Sequence, residues 1–245
     1  MKLDDVKKLH QKKYRSQFGF YLVEGEHLIL ELDKACTAGY TNVTITLYVT
    51  PEYESWAEQL DSQYTVKPVS QRQMSQLSDT KSPQGIIACV PIPGKAPASG
   101  KSSARCIYLH EVQDPGNLGT ILRSLAWFGQ FRLLLSPGSV DPYNSKVVRA
   151  SMGAIFHVPV ELDVSLSALP GRFSSIACLD MQGTNISDSH FRDFDCYLFG
   201  NEARGVPAQA LVECDAQPFT INGSGKIDSL NLASAVTLSV FQLTL

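Results

Sequence analysis

Long apolar runs, paired cysteines and metal-ligand spacings are missing from this sequence, and each absence removes a class of protein. None of its 245 residues belongs to a stretch approaching the roughly 20 apolar residues that a membrane-crossing helix requires. No apolar run follows the opening Met-Lys-Leu-Asp-Asp, so the expectation is a soluble, cytoplasmic chain without a secretory leader or a membrane partner. The six cysteines, Cys36, Cys89, Cys106, Cys178, Cys196 and Cys214, include no C-x-x-C pair, and several lie in apolar runs. That distribution suits small buried side chains in a reducing compartment, not a zinc site or a disulfide framework. His10, His27, His110, His157 and His190 form no ligand spacing, so no metal is expected.

Two glycine-rich stretches also fall short of the patterns they imitate. Between Gly94 and Gly100, ahead of Lys101-Ser102, five residues stand where a P-loop has four, and no apolar strand flanks them. Gly223-Ser-Gly225-Lys-Ile-Asp228 lacks the third glycine of a dinucleotide fingerprint and the acid about twenty residues on. Its glycines still indicate that backbone comes close to something.

What remains is ordinary globular composition, 44% hydrophobic and 18% charged, with a net charge of −3. That charge argues against a protein that coats nucleic acid over its whole surface. The sign is unevenly spread, however: Lys2, Lys7, Lys8, Lys12, Lys13 and Arg15 face only Asp4 and Asp5 in residues 1–18, and Lys95, Lys101 and Arg105 fall in a stretch without acids. Such asymmetry permits a local polyanion-binding face on an acidic body, and equally a solvated basic helix.

Apolar patterning and Pro/Gly/Ser content divide the chain into residues 1–93, a linker at 94–104 and residues 105–245. The first part alternates a basic helix near 4–16, a strand at 19–23, a helix at 25–38, a strand at 43–49, a helix near 52–60, a strand at 64–69, a helix near 70–77 and a strand at 85–90. The second reads as strands at 106–112, 132–135, 156–160, 174–180 and 196–200. Helices are expected there at 118–128, 144–151, 207–213 and 229–243. The near-continuous apolar strands imply an open parallel α/β sheet flanked by helices.

Three loops each follow an apolar strand and precede a helix: Asp114 to Arg123, Leu198 to Pro207, and Ile221 to Ala235. In the first, Asp114-Pro115-Gly116 is turn chemistry, Asn117 suits a helix N-cap, and Leu118, Ile121, Leu122, Leu125 and Phe128 supply a buried stripe. Neither Asn117 nor Arg123 is needed by that stripe. His110, beside Glu111 at a strand end, reads as packed or hydrogen-bonded and not catalytic; Glu111 and Asp180 make an acid pair only if folding joins them.

Taken in order, N-x-G-x-x-x-R at 117–123, G-N-E-x-x-G at 200–205 and S-L-N at 229–231 resemble the three motifs of the SpoU (TrmH) branch of the SPOUT RNA methyltransferases. Ser145 to Ala154 is similar to that family's segment between its first two motifs. Leu22-Val-Glu-Gly-Glu-His-Leu-Ile29 and Ser82-Pro-Gln-Gly-Ile-Ile87 are similar to its N-terminal substrate-binding domain. Asn222-Gly223 departs from the family's usual Pro-Met.

The resemblance implies an L30e-like N-terminal domain that grips RNA and a C-terminal domain tied in a deep trefoil knot, a topology general rules would not supply. It implies S-adenosylmethionine as methyl donor, bound at Gly200, Ile221 and Leu230, with Leu198, Asn201, Ser229 and Asn231 nearby. The acceptor would be a ribose 2′-hydroxyl of rRNA or tRNA, and the enzyme a homodimer. Arg123 carries over as the catalytic arginine, with Asn117 and Glu202 positioning it and the nucleotide. Because a guanidinium stays protonated at neutral pH, stabilisation of the developing alkoxide is favoured over a literal general base. The rival readings are a non-catalytic RNA-binding protein that retains the SPOUT fold, and a dinucleotide-dependent oxidoreductase, which the broken glycine fingerprint disfavours.

Overall fold

A computed structural model describes residues 1–60, 64–94 and 104–245, so the linker expected at 94–104 lies, apart from its two end residues, outside the described residues. In chain order the elements are α1 (Leu3–Lys8), α2 (Lys12–Phe18), β1 (Phe20–Glu24), α3 (Glu26–Thr37), β2 (Ile45–Val49), α4 (Glu54–Ala57), β3 (Tyr64–Pro68), α5 (Gln71–Leu77) and β4 (Ile86–Pro91). They continue as β5 (Arg105–Leu109), α6 (Pro115–Phe128), β6 (Phe131–Leu135), α7 (Ser145–Ser151), β7 (Val160–Glu161), β8 (Ile176–Asn185), β9 (Cys196–Phe199), α8 (Ala208–Glu213), β10 (Gln217–Thr220) and α9 (Leu232–Thr244).

These elements form two compact units, and their division does not follow the linker alone. Residues 1–94 form the first together with 141–157, while 95–140 and 158–245 form the second. The sequence-based boundary at 105 placed 141–157 with the C-terminal part. Side-chain chemistry accounts for the difference: Arg15, 4% exposed, donates through Nε to Asp141 at 2.9 Å, and the Tyr143 ring packs on Tyr21 at 5.0 Å.

Within the first unit the sheet runs β1-β4-β2-β3, with β2 and β3 parallel and the other pairs antiparallel. The expected basic helix is two short ones. Leu9 is buried beneath the break, and Arg15 Nη1 donates to the carbonyls of Leu9 and His10, both at 2.8 Å. The side chain expected on a solvated basic face is therefore internal.

The second unit is an all-parallel sheet in the order β10-β8-β9-β5-β6-β7. Cys106, Tyr108, Leu134, Cys178, Cys196 and Leu198 belong to one buried cluster under it. All six cysteines are buried and none forms a disulfide, and burial pushes the Cys89 and Cys178 thiols up to about 12, so these two remain neutral packing groups. The strand expected over 156–160 is a 3₁₀ turn at Ala154–Phe156 followed by the two-residue β7, because Pro159 has no N–H to give to a ladder. The first strand after β5 pairs on one side of it, and β9 pairs on the other with its chain returning to the far edge, so connections diverge at the β5/β9 boundary. Open parallel sheets bind ligands outside the carboxyl ends of strands at such a switch point.

Candidate active site

The loop after β5 sits at that switch point, and its helix begins earlier than the sequence suggests. Asp114 is the N-cap of α6, its Oδ1 accepting the Asn117 backbone N–H at 2.6 Å, and Pro115 opens the helix. Proline at the first helical position forgoes only an N–H that would be unsatisfied anyway, which moves the cap onto the residue before it. Asn117 therefore lies in the first turn, and its amide side chain is not spent on capping.

That amide joins all three loops. Asn117 Nδ2 donates to Glu202 Oε1 at 3.2 Å, and Asn117 Oδ1 accepts from Asn231 Nδ2 at 2.8 Å. Asn231 in turn caps α9, its Oδ1 accepting the N–H groups of Ala233 and Ser234 at 2.9 and 3.3 Å. The helix expected from Ser229 thus starts at Leu232, which leaves Ser229 and Leu230 in the preceding loop. Lower on the two helices Ser124 and Thr237 hydroxyls meet at 2.7 Å.

A second set of bonds fixes the Glu202 loop from below. Asn201 is 8% exposed; its Nδ2 donates to the Glu111 carbonyl at 2.7 Å and its Oδ1 accepts from the backbone of Ala203 and Arg204. Glu111 itself has φ of +50°, a left-handed conformation uncommon outside glycine and the Asn/Asp/His set, and costly unless its surroundings enforce it. They do: Ser136 Oγ accepts its N–H at 2.7 Å, and Arg204 Nη2 donates to its carboxylate at 2.6 Å. Gly200 is required by packing, since a Cβ there would lie 2.4 Å from the Gly205 backbone. Sequence reasoning missed Ser136 and Arg204 as partners of Glu111; they lie 25 and 93 residues from it along the chain, and no short-range pattern links them.

The remaining expected residues separate. Arg123 is exposed on α6 and its guanidinium makes no hydrogen bond or ion pair with the described residues. Leu198 is fully buried within β9, so its side chain packs in the sheet core. Ile221 is half-buried, Leu230 is 45% exposed and Ser229 is exposed. A Cβ at Gly223 or Gly225 would meet nothing, so this loop is open around its glycines. Glu111 and Asp180 share no hydrogen bond among the described residues; Asp180 accepts from the Gln182 N–H instead. Burial lowers the His110 pKa below the usual histidine value, and its Nδ1 has no partner among the described residues, in keeping with a packed imidazole. No helix among the described residues is long and apolar enough to cross a membrane.

Three motif loops thus converge on one amide at the switch point. A profile of the SpoU rRNA methylase family matches residues 104–241. The chain belongs to that family. A second profile, the MRM3-like substrate binding domain, matches residues 2–88. The chain is 29% identical over 246 residues to the 23S rRNA (guanosine(2553)-2'-O)-methyltransferase RlmP of Bacillus subtilis, covering 99% of this chain and 95% of that one. It is 30% identical over 167 residues to human mitochondrial rRNA methyltransferase 3, covering 65% of this chain and 39% of that one. Among solved structures, an AdoMet-bound rRNA methyltransferase from Sinorhizobium meliloti superposes with a TM-score of 0.81 at 25% identity, over 98% of this chain and 93% of that one. The SpoU methyltransferase AviRb from Streptomyces viridochromogenes, solved with AdoMet, gives 0.83 at 21% identity over 99% and 96%, a likeness of fold.

Proposed function

We propose that this protein transfers a methyl group from S-adenosylmethionine to a ribose 2′-hydroxyl of RNA, with rRNA as the substrate class its relatives favour and tRNA as the alternative. The observation that carries the reading is the Glu202–Asn117–Asn231 chain, which links three motif loops at the sheet's switch point. A merely RNA-binding relic of the fold would have no need to keep a carboxylate and two amides in one connected set.

The loop residues suit this donor. Ile221 and Leu230 offer apolar surface for a flat base, Gly200 lets the Gly205 backbone close against it and so shapes the loop, and the open glycines of 221–230 leave main-chain groups accessible to the base's polar edge. Asn201 and Asn231 are occupied by loop and helix bonds, so their contribution is to hold the pocket's walls; Ser229 lies in the same loop, and Leu198 gives only the buried base beneath it. When bound, the sulfonium supplies an already activated methyl group.

The protein must then align an acceptor hydroxyl and favour loss of its proton. Arg123, cationic and without partners among the described residues, stabilises the developing alkoxide and the neighbouring phosphate. Asn117 and Glu202 position the nucleotide and Arg123.

The finer architecture belongs to the same reading: a deep trefoil knot formed by the loops after β9 and β10 with α9, and an L30e-like fold for the first unit. So does a homodimer, for which the α6 and α9 surface is suited: Trp127 is 85% exposed, Leu238 43% and Phe241 47%. A cytoplasmic location accords with six cysteines that form no disulfide.

The test is incubation of the purified protein with radiolabelled S-adenosylmethionine and rRNA or tRNA, followed by ribose-methylation mapping. Absence of both label transfer and donor binding by calorimetry defeats the reading, and donor binding without transfer to any RNA leaves the non-catalytic rival.

A further inference from the structure

The first unit carries a concentrated cationic face for which the fold itself has no use. Lys2, Lys12, Lys13 and Arg72 are exposed and make no ion pair among the described residues. Asp4 and Asp5, the two acids on α1 and α2, are each taken by a lysine three residues on, Lys7 at 3.4 Å and Lys8 at 2.9 Å. Lys7 Nζ also donates to Gln76 of α5 at 2.6 Å, and Arg72 stands one turn before Gln76, so α1 and α5 present their cations side by side. On α2 the Tyr14 ring is flanked by Lys8 and Lys13 ammonium groups at 5.7 and 5.6 Å and stacks on Phe18 at 6.0 Å. Like charges held this close repel one another, and an anionic partner relieves that cost.

We propose that this face, built by α1, α2 and α5, is the surface through which the first unit grips the RNA backbone, with Tyr14 at its centre. The inference rests on the methyltransferase reading and adds to it the place of contact. Lysines spaced along two short helices suit a string of phosphates, and an aromatic ring among them suits a nucleic acid, whose bases stack on such rings. An anionic membrane fits less well. The apolar side of α1, Leu3, Val6 and Leu9, packs inward with Met74 and Leu77, so no greasy helix face is left to enter a bilayer.

The experiment compares full-length wild type with a Lys12→Gln/Lys13→Gln/Arg72→Gln variant, using an in-vitro transcript of 23S rRNA in fluorescence anisotropy across a salt series. Losing three phosphate contacts is expected to lower the slope of log affinity against log salt by about 2. RNA affinity at 0.1 M salt is expected to fall at least tenfold, while the Kd for S-adenosylmethionine is unchanged. Lys34→Gln, on α3 and outside this face, is the charge-loss control and is expected to bind as wild type does. A wild type that methylates RNA alongside a triple variant with unaltered affinity and salt slope overturns the surface and leaves the enzyme reading standing. A wild type that binds neither RNA nor the methyl donor brings down both. Binding of wild type to phosphatidylserine vesicles with no RNA affinity overturns the proposal in favour of a membrane.

Discussion

Asn231 donates to Asn117 at 2.8 Å while its own carbonyl oxygen caps α9, so one side chain both starts the last helix and ties it to the first motif loop. The two jobs use different atoms and can be separated. Asn231→Asp keeps an oxygen for the cap and loses the Nδ2 donor; Asn231→Ala loses both. The aspartate variant is expected to melt near the wild type and to lose at least tenfold in kcat. The alanine variant is expected to be destabilised by about 1 kcal/mol as well, the usual value of a side-chain cap. Equal turnover in wild type and Asn231→Asp would show that the bond to Asn117 has no catalytic consequence.

Arg123 makes no contact that folding depends on among the described residues. Arg123→Ala is expected to abolish methyl transfer while shifting stability by no more than about 0.5 kcal/mol, as for exposed substitutions generally. Calorimetry with S-adenosylmethionine should give a Kd close to the wild-type value. Retained turnover would transfer the catalytic role elsewhere.

The motif residues were readable from the sequence because each lies within a few positions of a strand end or helix start, where local rules apply. The same rules misplaced the α6 cap: Asp114-Pro115 signals a cap followed by proline at the first helical position, yet Asn117 was assigned the cap it leaves free. Contacts such as Glu111 with Arg204 were illegible, since nothing local in either residue points to the other. The packing of 141–157 with the first unit was illegible for a related reason. Asp141 and Tyr143 read as loop residues until Arg15 and Tyr21 are placed against them.

The Glu111–Arg204 pair is half-exposed, so its direct stabilisation is small, but it sits two residues from Glu202. Arg204→Glu is expected to reduce kcat severalfold with little change in melting temperature, because two carboxylates would then repel and displace the Glu202 loop. Adding Glu111→Arg restores the attraction in reverse and should recover most of the loss. A double variant no better than the worse single variant would show that the pair does not position the loop.

His110 gives a pH signature. Its burial holds the folded-state pKa below the unfolded value near 6.5, so the native protein binds fewer protons there than the unfolded chain. The associated stability is fully present above about pH 6.5 and is lost as pH falls through the lowered native value. His110→Gln removes the titrating group. Its melting temperature is expected to decline less steeply between pH 7.5 and 5.5 than that of wild type, and parallel declines would remove His110 from the acid response.

The buried Arg15–Asp141 pair makes the first unit depend on a segment encoded after β6. A fragment ending at Gly94 keeps Arg15 but loses Asp141, Tyr143 and α7. Removing one partner of a buried pair costs about 3–5 kcal/mol, a large part of the roughly 5–15 kcal/mol that stabilises a typical domain. Residues 1–94 are therefore expected to be unfolded or aggregated at 25 °C. The same fragment with 141–157 appended through a Gly/Ser linker should melt cooperatively by circular dichroism, and an Asp141→Ala change in that fusion should undo the gain. A fragment 1–94 that melts cooperatively at the temperature of the fusion would mean that the segment is a passenger on this unit and not part of its core.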